Sequence, residues 1–450
     1  MDRTERAGAN GGPCGTLGGG VRRSVRYGML GVLLLAGPAP AETLDTSMHW
    51  ALRDSYDRKA DDARQAAAEA RVLGGYEAFL PTAAYVVTHR LDSNIRYSPD
   101  FTSTPEAPIG IDTVPRRQPE VEAFQLSLPL FDGLRRYHDL ESARSAAAAG
   151  RELQNDKTQQ ILYDTASAYL AVLRDRTILR LRQVAIADVA KVAKSVAVKL
   201  EVHDATLADS ALAESRVTAA IAAHEQAKAN LLASELALAR LAGPTANPSG
   251  LPRIPSALLP RSLDELRDTL LQTNPRLLAA RLNADSAASS AKVAYARFSP
   301  QLNFVFAHTR QGAVSNYPYK VRDTSAMLQA RIPIYDPGEF ADVARGHALA
   351  DQRSFEALDL ERTVLTQAST AFVQRTSLIV QTKLAAKRVR RIEDAVLGRK
   401  MELRLGSMTI VDLLNTLAEL TEANVAKINI EFERDRITYS LASAINRLRV

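Results

Sequence analysis

The sequence predicts an α+β membrane fold built from an internal duplication, in which strand pairs are continued by very long helices. Three observations carry that prediction: landmarks that recur some 204 positions apart, two long runs without proline, and apolar–polar alternation in the segments between those runs. Leu128-Pro129-Leu130-Phe131-Asp132 returns as Ile332-Pro333-Ile334-Tyr335-Asp336, and Ala168-Tyr169-Leu170 returns as Ala371-Phe372-Val373. Thr206 with Asp209 returns as Thr409 with Asp412, and Phe79-Leu80-Pro81 has its counterpart in Phe298-Ser299-Pro300. A repeat this long is two copies of one supersecondary unit, not a solenoid of short repeats. The expected organisation is a signal peptide over 1–41, a first repeat over 42–243, a Pro-rich linker over 244–262 and a second repeat over 263–450. Each repeat is expected to hold a helix, a strand pair and a long helical hairpin.

The amino terminus has the pattern of an export signal. Arg22, Arg23 and Arg26 form a basic region, Met29 to Ala36 a short apolar run, and Ala39-Pro40-Ala41 a small-x-small cleavage pattern. The apolar run is far shorter than the ~20 residues that span a bilayer as a helix. Cleavage after Ala41 removes five arginines together with Asp2 and Glu5, which lowers the formal charge from +6 to +3. The basic balance is therefore no argument for nucleic acid binding. The one cysteine, Cys14, leaves with the signal, which excludes disulfides, thiol chemistry and a lipobox from the mature chain. Beyond residue 41 no apolar run approaches 18 residues, so no spanning helix is expected; strands of a β-barrel give a much weaker signal.

In each repeat the strands precede the long helices. Phe124, Leu126, Leu128 and Leu130 alternate with Gln125 and Ser127, and Leu328, Ala330, Ile332 and Ile334 alternate with Gln329 and Arg331. Leu302, Phe304 and Phe306 share one face. Such alternation fits a barrel wall, and fits equally a half-buried soluble hairpin; the export signal favours the wall. The stretch Ser93 to Pro119, rich in Ser, Thr, Pro and Asp, has the composition of a surface loop.

The helices follow. Proline is absent from Leu130 to Gly243 and again from Gly338 to Val450, runs of 114 and 113 residues. Proline inside a helix costs ~3 kcal/mol, so these are the runs in which long helices are permitted. Leu162, Ala166, Tyr169 and Leu173 keep helical spacing, while Leu358, Leu365, Phe372 and Ile379 recur every seven residues, the period that packs one helix on another. A helix from Leu134 to Leu200 spans on the order of 100 Å. The hairpin turns are expected near His203-Asp204 and Gly406-Ser407, with Thr206 and Thr409 as N-caps and Asp209 and Asp412 in the first helical turn. Pro129, Gly133, Pro333 and Pro337 mark the strand-to-helix junctions.

Catalytic chemistry is missing from the pattern. Seven histidines are scattered without His-Glu-x-x-His spacing or cysteine partners, so no zinc site is expected. The glycines at 11–20 precede no strand–helix phosphate unit. The run Lys387-Arg388-Val389-Arg390-Arg391 reads as a solvated helix face. Neither an enzyme nor a cofactor is expected.

Taken as a set, these residues resemble the TolC-like outer membrane efflux proteins. The stretch from Leu405 to Leu414, containing Gly406, Thr409 and Asp412, looks like that family's turn between its last two coiled-coil helices. Leu128 to Gly133 is similar to its strand-to-helix junction at the base of the barrel, and Asn274-Pro275 with the alanine-rich helix to Phe298 also looks like the family pattern. The resemblance runs over residues 44–450. It implies a homotrimer in which each chain lends four strands to one 12-stranded barrel in outer membrane lipid and its helices to a periplasmic α-helical barrel. It implies as partners a periplasmic adaptor and an inner-membrane ABC or proton-driven pump, in tripartite efflux or type I secretion. The missing lipobox leans toward secretion or a general-purpose duct. Two departures stand out: Asn415 replaces the second carboxylate found three residues after the tip aspartate, and Met408 replaces a basic residue. Asp412 alone is then left to form an acidic ring at the pore mouth, and a latch to Asp209 loses its basis. The rival reading is a soluble, exported coiled-coil scaffold.

Overall fold

The computed structural model describes residues 43–89, 120–244, 246–250, 252, 258–311, 321–405 and 409–449. The expected signal peptide, the loop 93–119, part of the linker and Gly406 with Ser407 and Met408 lie outside them. The elements run in one order twice. The first pass is α1 (Leu44–Asp54), α2 (Tyr56–Glu77), β1 (Thr82–Thr88), β2 (Val121–Phe131), α3 (Arg135–Glu201) and α4 (Leu207–Ala242). The second is α5 (Leu263–Thr273), α6 (Pro275–Ala296), β3 (Gln301–Gln311), β4 (Val321–Arg331), α7 (Pro337–Arg404) and α8 (Ile410–Ala444).

Two helices, not the one expected, precede each strand pair. Ser55 is extended between α1 and α2 and caps the second, its side chain accepting from the Arg58 N–H. Asn274 does the same between α5 and α6: its Oδ1 accepts from the Leu277 N–H at 2.9 Å, and Pro275 takes the first helical position, where a missing N–H costs nothing. Its Nδ2 also donates to the Ala444 carbonyl at 2.8 Å, so one side chain ends a helix, starts the next and ties both to α8.

The long helices of 67 and 68 residues are each about 100 Å in length. Midway along them lies the main core. Leu162, Ala166, Tyr169 and Leu170 of α3 pack with Leu238 of α4, Leu266 and Leu270 of α5, Val364 and Ala368 of α7, and Ile437 and Leu441 of α8. Tyr169 is 1% exposed, and its hydroxyl donates to the Ser249 carbonyl at 2.8 Å. Its expected counterpart, Phe372, is only partly buried against the same cluster.

The heptad on α7 falls one residue from where its spacing put it. Ala357, Val364 and Ala368 are buried, whereas Leu358 is 53% exposed. The small side chains let neighbouring backbones approach closely, so they take the seam and the larger row flanks it. Val373, Val380 and Leu384 likewise remain exposed on this chain.

Candidate channel wall and tip

The strands form one antiparallel sheet in the order β1-β2-β3-β4, with β1 and β4 as open edges. Side chains of directly paired residues share a face. The register pairs Leu126 with Phe306, Leu128 with Phe304, and Phe304 with Leu328, so the three expected apolar rows meet on a single face; Ile332 and Ile334, expected to continue the last row, lie beyond the end of β4. Phe124 and Phe306 stand edge to face there, ring centroids 6.4 Å apart. The opposite face carries Gln125, Ser127, Asn303, Thr309, Asp323 and Gln329 among small apolar residues. Among the described residues no helix packs over either face. The apolar face is left bare.

Along β3 the apolar face begins at Leu302 and ends in charge at Arg310, which lies opposite Glu122 on one side and Arg322 on the other. Eight residues of strand rise about 26 Å, close to the ~25 Å apolar band of an outer membrane barrel. At the helix end of the sheet the side chains of Phe79, Phe131, Tyr335 and Phe340 are exposed, as aromatic residues are at a membrane interface. No described helix is long and apolar enough to cross a membrane.

The junctions below the sheet solve one problem in two ways. Pro129 sits inside β2, paired with Asn303 at a register irregularity, because a bulge removes the need for its missing N–H. Gly133 has φ +68°, and a Cβ there would lie 2.2 Å from Ser299 Cβ, so only glycine fits. Leu134 is also left-handed, which turns the chain sharply into α3. Asp132 then accepts from the Arg136 N–H at 3.2 Å and from its Nε at 2.7 Å. In the second half Pro333 lies between the end of β4 and the start of α7, Asp336 caps α7 by accepting from the Gly338 N–H at 2.9 Å, and Pro337 is the first helical residue.

At the far end are the hairpin tips. His203, left-handed at φ 62°, makes the first turn, and Lys199 pairs with Asp204 at 2.9 Å. Thr206 and Asp209 form a full capping box: the Asp209 N–H donates to Thr206 Oγ1 at 3.1 Å and the Thr206 N–H to Asp209 Oδ2 at 3.1 Å. The hydroxyl and backbone N–H of Thr206 hold the Asp209 carboxyl below its usual pKa. Thr409 occupies the N-cap position of α8, but its hydroxyl donates to Asp412 Oδ2 at 2.6 Å and accepts no backbone N–H. The second hairpin has its own cluster near the tip, Val389, Ile392 and Val396 of α7 with Leu413 and Leu417 of α8, and it also packs on the first. Leu414, 2% exposed, packs among Val189 and Val196 of α3 and Ala213 of α4, and Arg216 Nη2 donates to Asn415 Oδ1 at 3.0 Å. Nothing in the sequence pointed to Arg216, whose partner lies 199 residues away. Asp209 and Asp412 each turn to their own threonine. Among the described residues no three His, Cys, Asp or Glu side chains gather as a metal site.

A bare one-faced sheet is thus continued by two helices about 100 Å long, each folded back on a shorter antiparallel one. Residues 266–447 match the family model of the outer membrane efflux proteins. The outer membrane efflux protein BepC of Brucella suis is 25% identical over 331 residues, 72% of each chain. The CmeC outer membrane channel of Campylobacter jejuni superposes with a TM-score of 0.76 at 15% identity, covering 90% of this chain and 85% of that one. The outer membrane protein VceC of Vibrio cholerae does so at 0.76 and 17%, covering 90% and 96%. The second half of the chain thus matches the outer membrane efflux family, and the whole fold is that of solved outer membrane channels.

Proposed function

We propose that three copies of this chain assemble into a passive exit duct: a 12-stranded barrel in the outer membrane, continued by an α-helical barrel through the periplasm. The observation that carries this reading is the uncovered sheet. A bare apolar face has no place in water, and open strand edges are not tolerated in lipid. Four strands cannot close a barrel, so further chains must pair with β1 and β4. The exposed apolar residues Val184, Ile221, Leu232, Val373 and Val380 along the long helices supply matching contact surface. On this reading the recurring element order is a duplication of 42–243 as 263–450 across the linker 244–262, preceded by a cleaved signal at 1–41. Each half then gives one strand pair and one helical hairpin, so three chains place six such units around the pore.

The tips form the periplasmic mouth, where a periplasmic adaptor docks and links the duct to an inner-membrane ABC or proton-driven pump. Transport energy comes from that pump, in tripartite efflux or type I secretion. Three copies of Asp412 make an acidic ring at the mouth. Fractionation tests the duct: heat-modifiable trimers in the outer membrane are expected, whereas a soluble periplasmic monomer sides with the coiled-coil scaffold. In planar bilayers the conductance should prefer cations, and Asp412→Ala should weaken that preference. Unchanged selectivity removes the ring from the account.

A further inference from the structure

We infer that the loop end of the apolar face is a phosphate site for an anionic lipid of the outer leaflet, formed by Arg310 and Arg322; this rests on the membrane orientation proposed above. Arg310 and Arg322 are direct partners in the β3–β4 register, so their guanidinium groups project from the same face of adjacent strands. Like charges directly opposite one another destabilise a sheet. Among the described residues one carboxylate, that of Glu122, pairs with them. Glu122 Oε2 lies 3.5 Å from Arg310 Nη1, at the long end of an ion pair, and the Arg310 side chain stays 53% exposed. Arg322 is exposed and has no ion pair among the described residues. Asp323 follows it in sequence but points to the opposite face.

The described strand that closes the trimer supplies no anion either. The strand that closes the barrel against β4 is β1 of the next chain, and Thr82–Thr88 contains no acidic residue. The surplus positive charge therefore faces outward, at the level where the apolar band ends and lipid headgroups begin. A charge near that interface costs little, unlike one at mid-bilayer. Two arginines side by side suit a phosphate, which accepts paired N–H donors from each planar fork. A phosphate seated between them turns the like-charge pair from a liability into a clamp that holds β3 to β4.

The test uses purified trimers in nanodiscs of zwitterionic phospholipid. Bisphosphorylated lipid A, the same lipid with its phosphates removed, and inorganic phosphate are each titrated in. Trimer melting and lipid retained in native mass spectrometry are read. Bisphosphorylated lipid A should raise the melting temperature of the wild type and stay bound, while the other two additions change nothing. Arg322→Gln keeps the Glu122–Arg310 pair and should retain about tenfold less of the lipid, as should the double variant with Arg310→Gln. Equal retention by wild type and variants overturns the site. A shift reproduced by inorganic phosphate overturns the lipid assignment. Conducting trimers with no lipid response sink this inference alone; a chain that forms no membrane trimer sinks the duct with it.

Discussion

The two halves of the chain run the same elements in the same order, but they secure them differently. The first half locks itself: Gly133 and Leu134 turn sharply between β2 and α3, and Thr206 with Asp209 closes a complete capping box on α4. The second half starts more simply. Its junction ends in an ordinary Asp336-Pro337 helix start, and its tip joins its own α7–α8 cluster while Leu414 and Asn415 also contact the first hairpin. The two hairpins thus share a buried contact at Leu414 and differ in how their return helices start.

The largest expected effect separates the two junctions. Gly133→Ala must take a left-handed conformation, costing ~1–2 kcal/mol, and push against Ser299, costing about 1–3 kcal/mol more. Trimer yield and melting temperature should both fall sharply. Gly338→Ala meets only the flexible end of Asp336 and should stay within about 0.5 kcal/mol of the wild type. Similar effects at both glycines would erase the distinction.

Next in size is the seating of the second tip. Leu414→Ala removes a buried side chain and should cost ~2–5 kcal/mol locally, read as faster amide exchange in 410–417. Leu207→Ala, 76% exposed on the first tip, should leave exchange unchanged.

The caps come third. Thr206→Ala should lose ~1 kcal/mol of helix-start stability, whereas Thr409→Ala, which caps no backbone N–H, should lose less. The first cap also responds to acid. Because Asp209 has a lowered pKa in the folded chain, its contribution is present above the ordinary carboxylate pKa. It is lost as pH falls through the lowered value. Amide protection at 206–209 should therefore drop on acidification below about pH 4, and Thr206→Ala should flatten that dependence.

The smallest change lies between the hairpins. Asn415→Asp turns the neutral acceptor of Arg216 into a charged one. An exposed ion pair of this kind is worth ~0.2–1 kcal/mol, enough to lower the open fraction in single-channel records without abolishing conductance.

Much of this was legible in the sequence, for physical reasons that differ by element. The long helices showed because proline is excluded from their interiors. The apolar face showed because strand side chains alternate strictly. His203-Asp204 and Thr206 showed because turn and cap chemistry is local. What stayed hidden was long-range. The seam on α7 fell on Ala357, Val364 and Ala368, since a heptad gives a helix its period but not its rotation against neighbours. Arg216 was invisible because its partner belongs to the other half. Asn415 was noticed for the charge it lacks, while its role as a hydrogen-bond acceptor depends on how the hairpins sit together.

The most direct test of the central claim, that the sheet is a membrane wall with one face to lipid and one to an aqueous lumen, is cysteine accessibility along β3. The sequence has one natural cysteine, Cys14, so single cysteines at 302–309 can be read after it is replaced. In outer membranes, cysteines at Leu302, Phe304, Phe306 and His308 should resist a water-soluble maleimide and react with a lipid-soluble one. Cysteines at Asn303, Val305, Ala307 and Thr309 should react with the water-soluble reagent. Uniform labelling at all eight positions would contradict the wall and leave a solvated hairpin in its place.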